Sequence, residues 1–202
     1  MSDPSQSLIH SDAEDEKAGS YGTYSVVVVY CGVGLLLVAT YVWGVVTLFE
    51  KHGDAMQLWG HIGDPGNEWL LKTYYASILA ATIGFFPSLC YALTIAPRLP
   101  KRTVNLICGS LLGFYVTELF WMPMCVAYIE KPSATIYWAI RLQLAASGSF
   151  GLLWAWAKIF AVPARIAEEV SPCLRVSGLL GTLAFALHCA IMDATIWPPF
   201  FR

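Results

Sequence analysis

Apolar residues fill five long runs separated by short polar stretches, and each run is long enough to cross a bilayer core as a helix. The pattern predicts an all-α polytopic membrane protein, a five-helix transmembrane bundle with spans at about 24–49, 73–96, 104–129, 135–160 and 176–201. Residues 1–23 are polar, carry Asp12, Glu14, Asp15 and Glu16 close together, and lack the basic start and cleavage site of a secretory signal. They read as a disordered cytosolic tail ahead of one membrane domain, 24–202.

Special residues inside the runs refine this picture. The first span is uncharged, and Tyr41 with Trp43 toward its end reads as an interfacial girdle. The connection 50–72 mixes acids, His52, His61, glycines and Pro65 with Trp59 and Trp69, the composition of a loop with amphipathic interfacial pieces. Pro87 interrupts the hydrogen-bond ladder of the second span. Gly109 and Gly113 predict a small-residue ridge on the third, and the run Ala145, Ala146, Ser147, Gly148, Ser149 predicts close packing on the fourth.

Composition narrows the function classes. With 57% hydrophobic and 13% charged residues, the chain is no soluble domain, and a net charge of -2 without a basic cluster excludes a nucleic-acid partner. The six cysteines form no CxxC pair and no Cys/His spacing that suits zinc. Cys31, Cys90, Cys108, Cys125 and Cys189 lie in apolar runs and read as small buried hydrophobes, with Cys173 in a loop. Counting Lys17, Arg98, Lys101, Arg102, Lys158, Arg165 and Arg175 on one side against Lys51, Lys72, Lys131 and Arg202 on the other predicts a cytosolic N-terminus. The endoplasmic reticulum is the default compartment for such a chain.

Candidate chemistry comes from four polar groups inside the runs. A carboxylate at mid-bilayer is costly and faces other helices or a wet cavity, so Glu118 is a functional-site candidate. The plainer reading is that it is protonated, or paired with a cation, and locks two helices together. At about 1.5 Å of rise per residue, Glu118 lies roughly 16 Å from one end of its span. Arg141, Asp193 and His188 lie about 10, 12 and 20 Å in from the same side, so all four can share one layer. Arg141, beside Gln143, is the candidate partner for Glu118 or Asp193. Glu118, Asp193 and His188 are residue types that can act as acid and base out of water. Tyr115, Trp121, Tyr137 and Trp138 can wall a substrate pocket and stabilise a cation through their ring faces. No cofactor is expected: no nucleotide or metal motif is present, and His188 as a haem ligand lacks a second intramembrane histidine.

The stretch from Gln57 to Tyr115 resembles the emopamil-binding (EXPERA) family of sterol double-bond isomerases and a sterol-binding receptor. The likeness lies in Gln57, Leu58 and Trp59, then Gly63 and Asp64, Trp69 before a span, and GFFPSLCYAL from Gly84 to Leu93. This chain departs from the family where an acid precedes the proline of the second span, a place held by Ser77 and Ile78, and in its uncharged first span. The family's catalytic set therefore does not transfer, and His188 and Asp193 of an added fifth span, with Glu118, are expected to rebuild an acid–base site.

Together these features lead to an expected membrane-embedded isomerase or cyclase acting by proton transfer on a sterol or other polycyclic isoprenoid. Two alternatives stand beside it: a non-catalytic sterol- or lipid-binding protein, and a structural subunit of a membrane complex. In the last, Gly109, Gly113 and the Ala145 to Ser149 run make contacts between subunits, and a homo-oligomer is a further expectation.

Overall fold

A computed structural model describes residues 20–201. The acidic tail, up to residue 19, lies outside the described residues. The protein is all-α, with five long apolar helices: α1 (Ser20–His52), α2 (Glu68–Arg98), α3 (Lys101–Glu130), α4 (Ala134–Ala161) and α5 (Pro172–Phe200). All five are long and apolar enough to cross a membrane, and the chain is a multi-pass membrane protein. Each helix is longer than its apolar run because the backbone stays helical into the polar margin. Glu68 and Lys72, four residues apart, extend α2 beyond the expected start at 73.

The ends are set by local chemistry. Gly53, at φ 82°, closes α1 with its N–H on the Phe49 carbonyl, a conformation that costs glycine nothing. Ser133 and Ser171 cap α4 and α5, accepting from the Ile136 and Leu174 amides at 3.2 and 3.4 Å. Between α1 and α2 lies a short 3₁₀ segment, Met56–Gly63, whose apolar side chains Leu58 and Ile62 turn inward. A short helix, Ala164–Glu168, joins α4 to α5.

α2 packs most extensively on α5, α5 on α4, and α4 on α3, while α1 lies along α3. Two apolar clusters result. One gathers Tyr30, Tyr91, Ile95, Leu111 and Trp154. The other gathers Leu48, Ile62, Tyr74, Met122, Ile140 and Trp197 nearer the His52 end. The closest backbone approach among these helices is not at the expected ridge. A methyl group added at Gly109 would meet open space, and one at Gly113 would meet only the Phe150 ring. Gly84 and Gly181 instead put α2 and α5 backbone to backbone, and Gly148 sets α4 against Ala190 of α5. The cysteines also divide differently: Cys108, Cys125 and Cys189 are buried, whereas Cys31 and Cys90 lie on exposed helix faces.

Candidate functional site

Glu118 owes its position to a break in α3. Pro123 has no N–H to donate and its ring crowds the Leu119 carbonyl, so the helix divides into Lys101–Glu118 and Trp121–Glu130. Glu118 is the last residue before the break, and it is buried. Tyr41 Oη of α1 donates to Glu118 Oε2 at 2.9 Å, and Gln143 Nε2 of α4 donates to Oε1 at 3.2 Å.

Two expectations change here. Tyr41 is no interfacial girdle residue, for its hydroxyl reaches the buried carboxyl. Arg141 is not the partner of Glu118 or of Asp193: its Nη1 donates to Tyr137 Oη at 3.3 Å and its guanidinium lies 5.1 Å from the Trp138 ring. Residues 141 and 143 point about 200° apart around a helix, so only one of them can face α3. Gln143 is the one that does.

On α5, residues His188–Ile196 form a π-helix. Its i→i+5 bonding stacks residues five apart, whereas an α-helix would offset them by about 140°. Thr195 Oγ1 follows that spacing, donating to the Ala190 carbonyl at 2.9 Å. His188 and Asp193, also five apart, thereby face one another, Nε2 to Oδ2 at 3.5 Å. The other ring nitrogen, Nδ1, is 2.9 Å from Ser77 Oγ of α2, which fixes the ring's orientation. Tyr74, one turn earlier on α2, donates its hydroxyl to Asp193 Oδ1 and sets its ring edge-on to the imidazole.

Both groups of polar residues open on one cavity of about 330 Å³, within the size range of small-molecule sites. Its walls come from α1 (Leu37, Tyr41), α2 (Tyr74, Ile78, Thr82), α3 (Phe114, Tyr115, Glu118, Trp121) and α5 (Phe185, His188, Asp193). Leu58 and Trp59 of the 3₁₀ segment cover one end, and Trp197 Nε1 donates to the Leu58 carbonyl at 2.9 Å. Of the expected pocket residues, Tyr115 and Trp121 line this space. Tyr137, Trp138 and Arg141 do not: Tyr137 donates to the Pro198 carbonyl at 3.1 Å, and Trp138 is 57% exposed. Tyr137 shares its helix face with the cavity-lining Leu144 but stands about two turns nearer the Ser133 end. The indole N–H of Trp121 is buried and has no acceptor among the described protein groups.

Lys158 departs furthest from its sequence reading. Counted there among the basic loop residues, it lies inside α4 with 1% exposure. Its Nζ donates to the Ser88 carbonyl at 2.9 Å and to Ser88 Oγ at 2.6 Å, and the Trp154 ring is 4.9 Å away. Tyr30 and Tyr91 complete an aromatic surround. A short reach along α2 explains the pairing: Ser88 also bonds Thr182 of α5, so one lysine ties α4 to the α2–α5 pair.

The sequence reading named Tyr41, Ser77 and Gln143 without giving them a part in this site, and passed over Tyr74. Pro123 was a readable signal that Glu118 ends a helical segment, but the hydroxyl and amide partners depend on which helices adjoin. Among the described residues, no three His, Cys, Asp or Glu side chains cluster so as to hold a metal ion. The chain matches no protein-family model, no curated protein and no solved structure.

Proposed function

We propose that this protein is a membrane-embedded proton-transfer enzyme, an isomerase or cyclase acting on a sterol or other polycyclic isoprenoid. One observation carries the reading: Glu118 and the His188–Asp193 pair, from different helices, open on the same mainly apolar cavity. Such a site needs a proton donor and a proton acceptor out of bulk water, with apolar walls around the reacting carbons. The His188–Asp193 pair supplies the proton to one carbon of an alkene. The electron pair of the double bond forms the new C–H bond, and the cation left on the adjoining carbon is faced by the rings of Phe114, Tyr115, Trp121 and Phe185. Glu118, whose oxygens accept from Tyr41 and Gln143, takes a proton from a neighbouring carbon, and the released C–H pair closes the new double bond. The Trp121 N–H is a donor for a ligand oxygen.

Sterols are favoured over other apolar ligands by the resemblance of Gln57 to Tyr115 to the EXPERA family. That resemblance also suggests the endoplasmic reticulum. A cytosolic N-terminus fits the loop charges, since Arg98, Lys101, Arg102, Arg165 and Arg175 share one face against Lys51, Lys72 and Lys131 on the other, with Lys158 left out as buried. The test is incubation of the purified protein with a radiolabelled microsomal isoprenoid fraction in D₂O. A product carrying one deuterium per turnover is expected from the wild type and not from the triple alanine variant at Glu118, His188 and Asp193. Equal product from that variant refutes the reading.

A second reading, a non-catalytic sterol- or lipid-binding protein, is favoured by a specific feature. Glu118 and Asp193 already have protein partners in Tyr41, Gln143 and Tyr74. Retention of the labelled ligand with no product distinguishes it.

A further inference from the structure

We infer that the ligand enters the cavity sideways from the hydrocarbon core, through a mouth between α1 and α2, and that it is therefore an uncharged lipid. The inference rests on the proposed ligand class but not on catalysis.

Thr82 of α2 lines the cavity and is also exposed on the protein surface. There the wall between cavity and surface is at most one residue thick. Leu37 of α1 and Ile78 of α2, both half-buried, line the cavity beside it. Over Gly34–His52, α1 packs mainly on α3 and only sparsely on α2. The two helices do meet nearer the Ser20 end, where Tyr30 packs on Phe85 and Gly22 lies against the Ala96 carbonyl. Toward the His52 end, Leu58 and Trp59 cover the cavity. The mouth is thus bounded along the seam on both sides.

Its depth decides the kind of ligand. Leu37 and Thr82 fall at the middle of α1 and α2, helices that each span the bilayer, so the mouth opens near the midplane. Its rim is apolar: Val38, Leu79 and Ile83 are each more than half exposed and face the surrounding medium. A molecule arriving there comes from lipid. A diphosphate or other charged headgroup would have to be drawn to mid-bilayer, at a cost of several kcal/mol or more, before meeting any polar group of the site. A sterol with one hydroxyl bears no such penalty. Carboxylates on the interior wall without a facing lysine or arginine in the lining also give an anionic ligand no counter-charge.

The experiment uses the full chain in phosphatidylcholine vesicles, with Cys31, Cys90 and Cys173 replaced by alanine and Leu37→Cys and Thr82→Cys introduced. The probe is a diazirine-bearing cholesterol, and photolabelling rate is read before and after cross-linking the cysteine pair with a bis-methanethiosulfonate. Cross-linking is expected to slow labelling at least tenfold, with recovery on reduction. Thr82→Trp, which narrows the mouth without a cross-link, is expected to slow labelling in the same direction. Unlabelled cholesterol should compete, and cholesterol sulfate, the same skeleton with a fixed anion, should not. Labelling at an unchanged rate in both the cross-linked and the Thr82→Trp proteins overturns the mouth while leaving the acid–base reading standing, because product formation in D₂O is measured separately. Equal competition by cholesterol sulfate overturns the restriction to uncharged lipids.

Discussion

Gly181→Ala is the most direct test of the helix arrangement that creates the cavity. At Gly84 an added Cβ would stand 2.7 Å from the Gly181 Cα, against an ordinary contact of 3.4 Å or more, and the reciprocal atom at Gly181 would press still harder on the Gly84 carbonyl. The obstacle is backbone, so no side chain can rotate away: the Gly181 Cβ would overlap the Gly84 carbonyl oxygen deeply, and α2 and α5 must separate by more than an ångström. Overpacking of this kind costs about 1–3 kcal/mol. Alanine recovers up to about 1 kcal/mol through helix propensity. So deep an overlap puts the cost at the upper end of that range, and the net loss of about 2 kcal/mol corresponds to a Tm lower by about 4–8 °C for a chain of this size. The same separation draws Tyr74 and Ser77 from Asp193 and His188, so ligand retention should fall with stability. Thermal unfolding in detergent, followed by the monodisperse fraction on size exclusion, gives the measurement. Gly109→Ala is the paired control, because its methyl meets nothing, and it should be neutral or slightly stabilising. A Gly181→Ala protein as stable as wild type, with unchanged ligand retention, would refute the backbone contact.

Asp193→Asn keeps an acceptor for Tyr74 but removes the acid, and product formation should fall about 10²–10⁴-fold at nearly unchanged Tm. Glu118→Gln should behave alike, since an amide can still meet the Tyr41 hydroxyl; isotope incorporation from D₂O reads both. Lys158→Ala leaves a void among Tyr30, Tyr91 and Trp154 and should cost about 2–5 kcal/mol, whereas Lys158→Met fills most of that space and should recover most of the loss in a thermal scan. Arg141→Ala and Trp138→Ala, both off the cavity wall, should leave sterol photolabelling within about twofold of wild type.

Five spans were legible because run length is a one-dimensional property: about twenty apolar residues suffice, whatever they pack against. Helix ends were less so, since Glu68 and Lys72 look like loop charges to a hydropathy reading and yet pair along one helical face. Glu118, His188 and Asp193 stood out for the same reason as the spans, being costly groups in an apolar setting. Their partners did not. Tyr41, Tyr74, Ser77 and Gln143 are ordinary in a membrane helix, and only the placement of α1, α2 and α4 around the cavity gives them a role. Arg141 and Lys158 exchanged the parts expected of them because the neighbours of a cation, and not its place in a hydropathy run, decide its burial: Arg141 is half-buried against Tyr137 and Trp138, whereas Lys158 is enclosed between helices. Gly84 and Gly181 escaped notice although Ala80, Ser88 and Ser177 stand four residues from them at ridge spacing, because such spacing does not say which helices meet; their closeness exists only between helices.

The π-helix of α5 also acts as a phase shifter. Letting the segment relax to α geometry with its residue number unchanged would turn everything downstream by about 100°, the phase of the one residue that the wide turn absorbs. Trp197 would then swing away from the Leu58 carbonyl, and the cover over the cavity would lose its tether. The same extra residue that brings His188 to Asp193 therefore also clocks the end of the chain onto the 3₁₀ segment. In this molecule, tolerance to a change of helical phase should be lowest between His188 and Trp197, where one register serves both the acid–base pair and the cover.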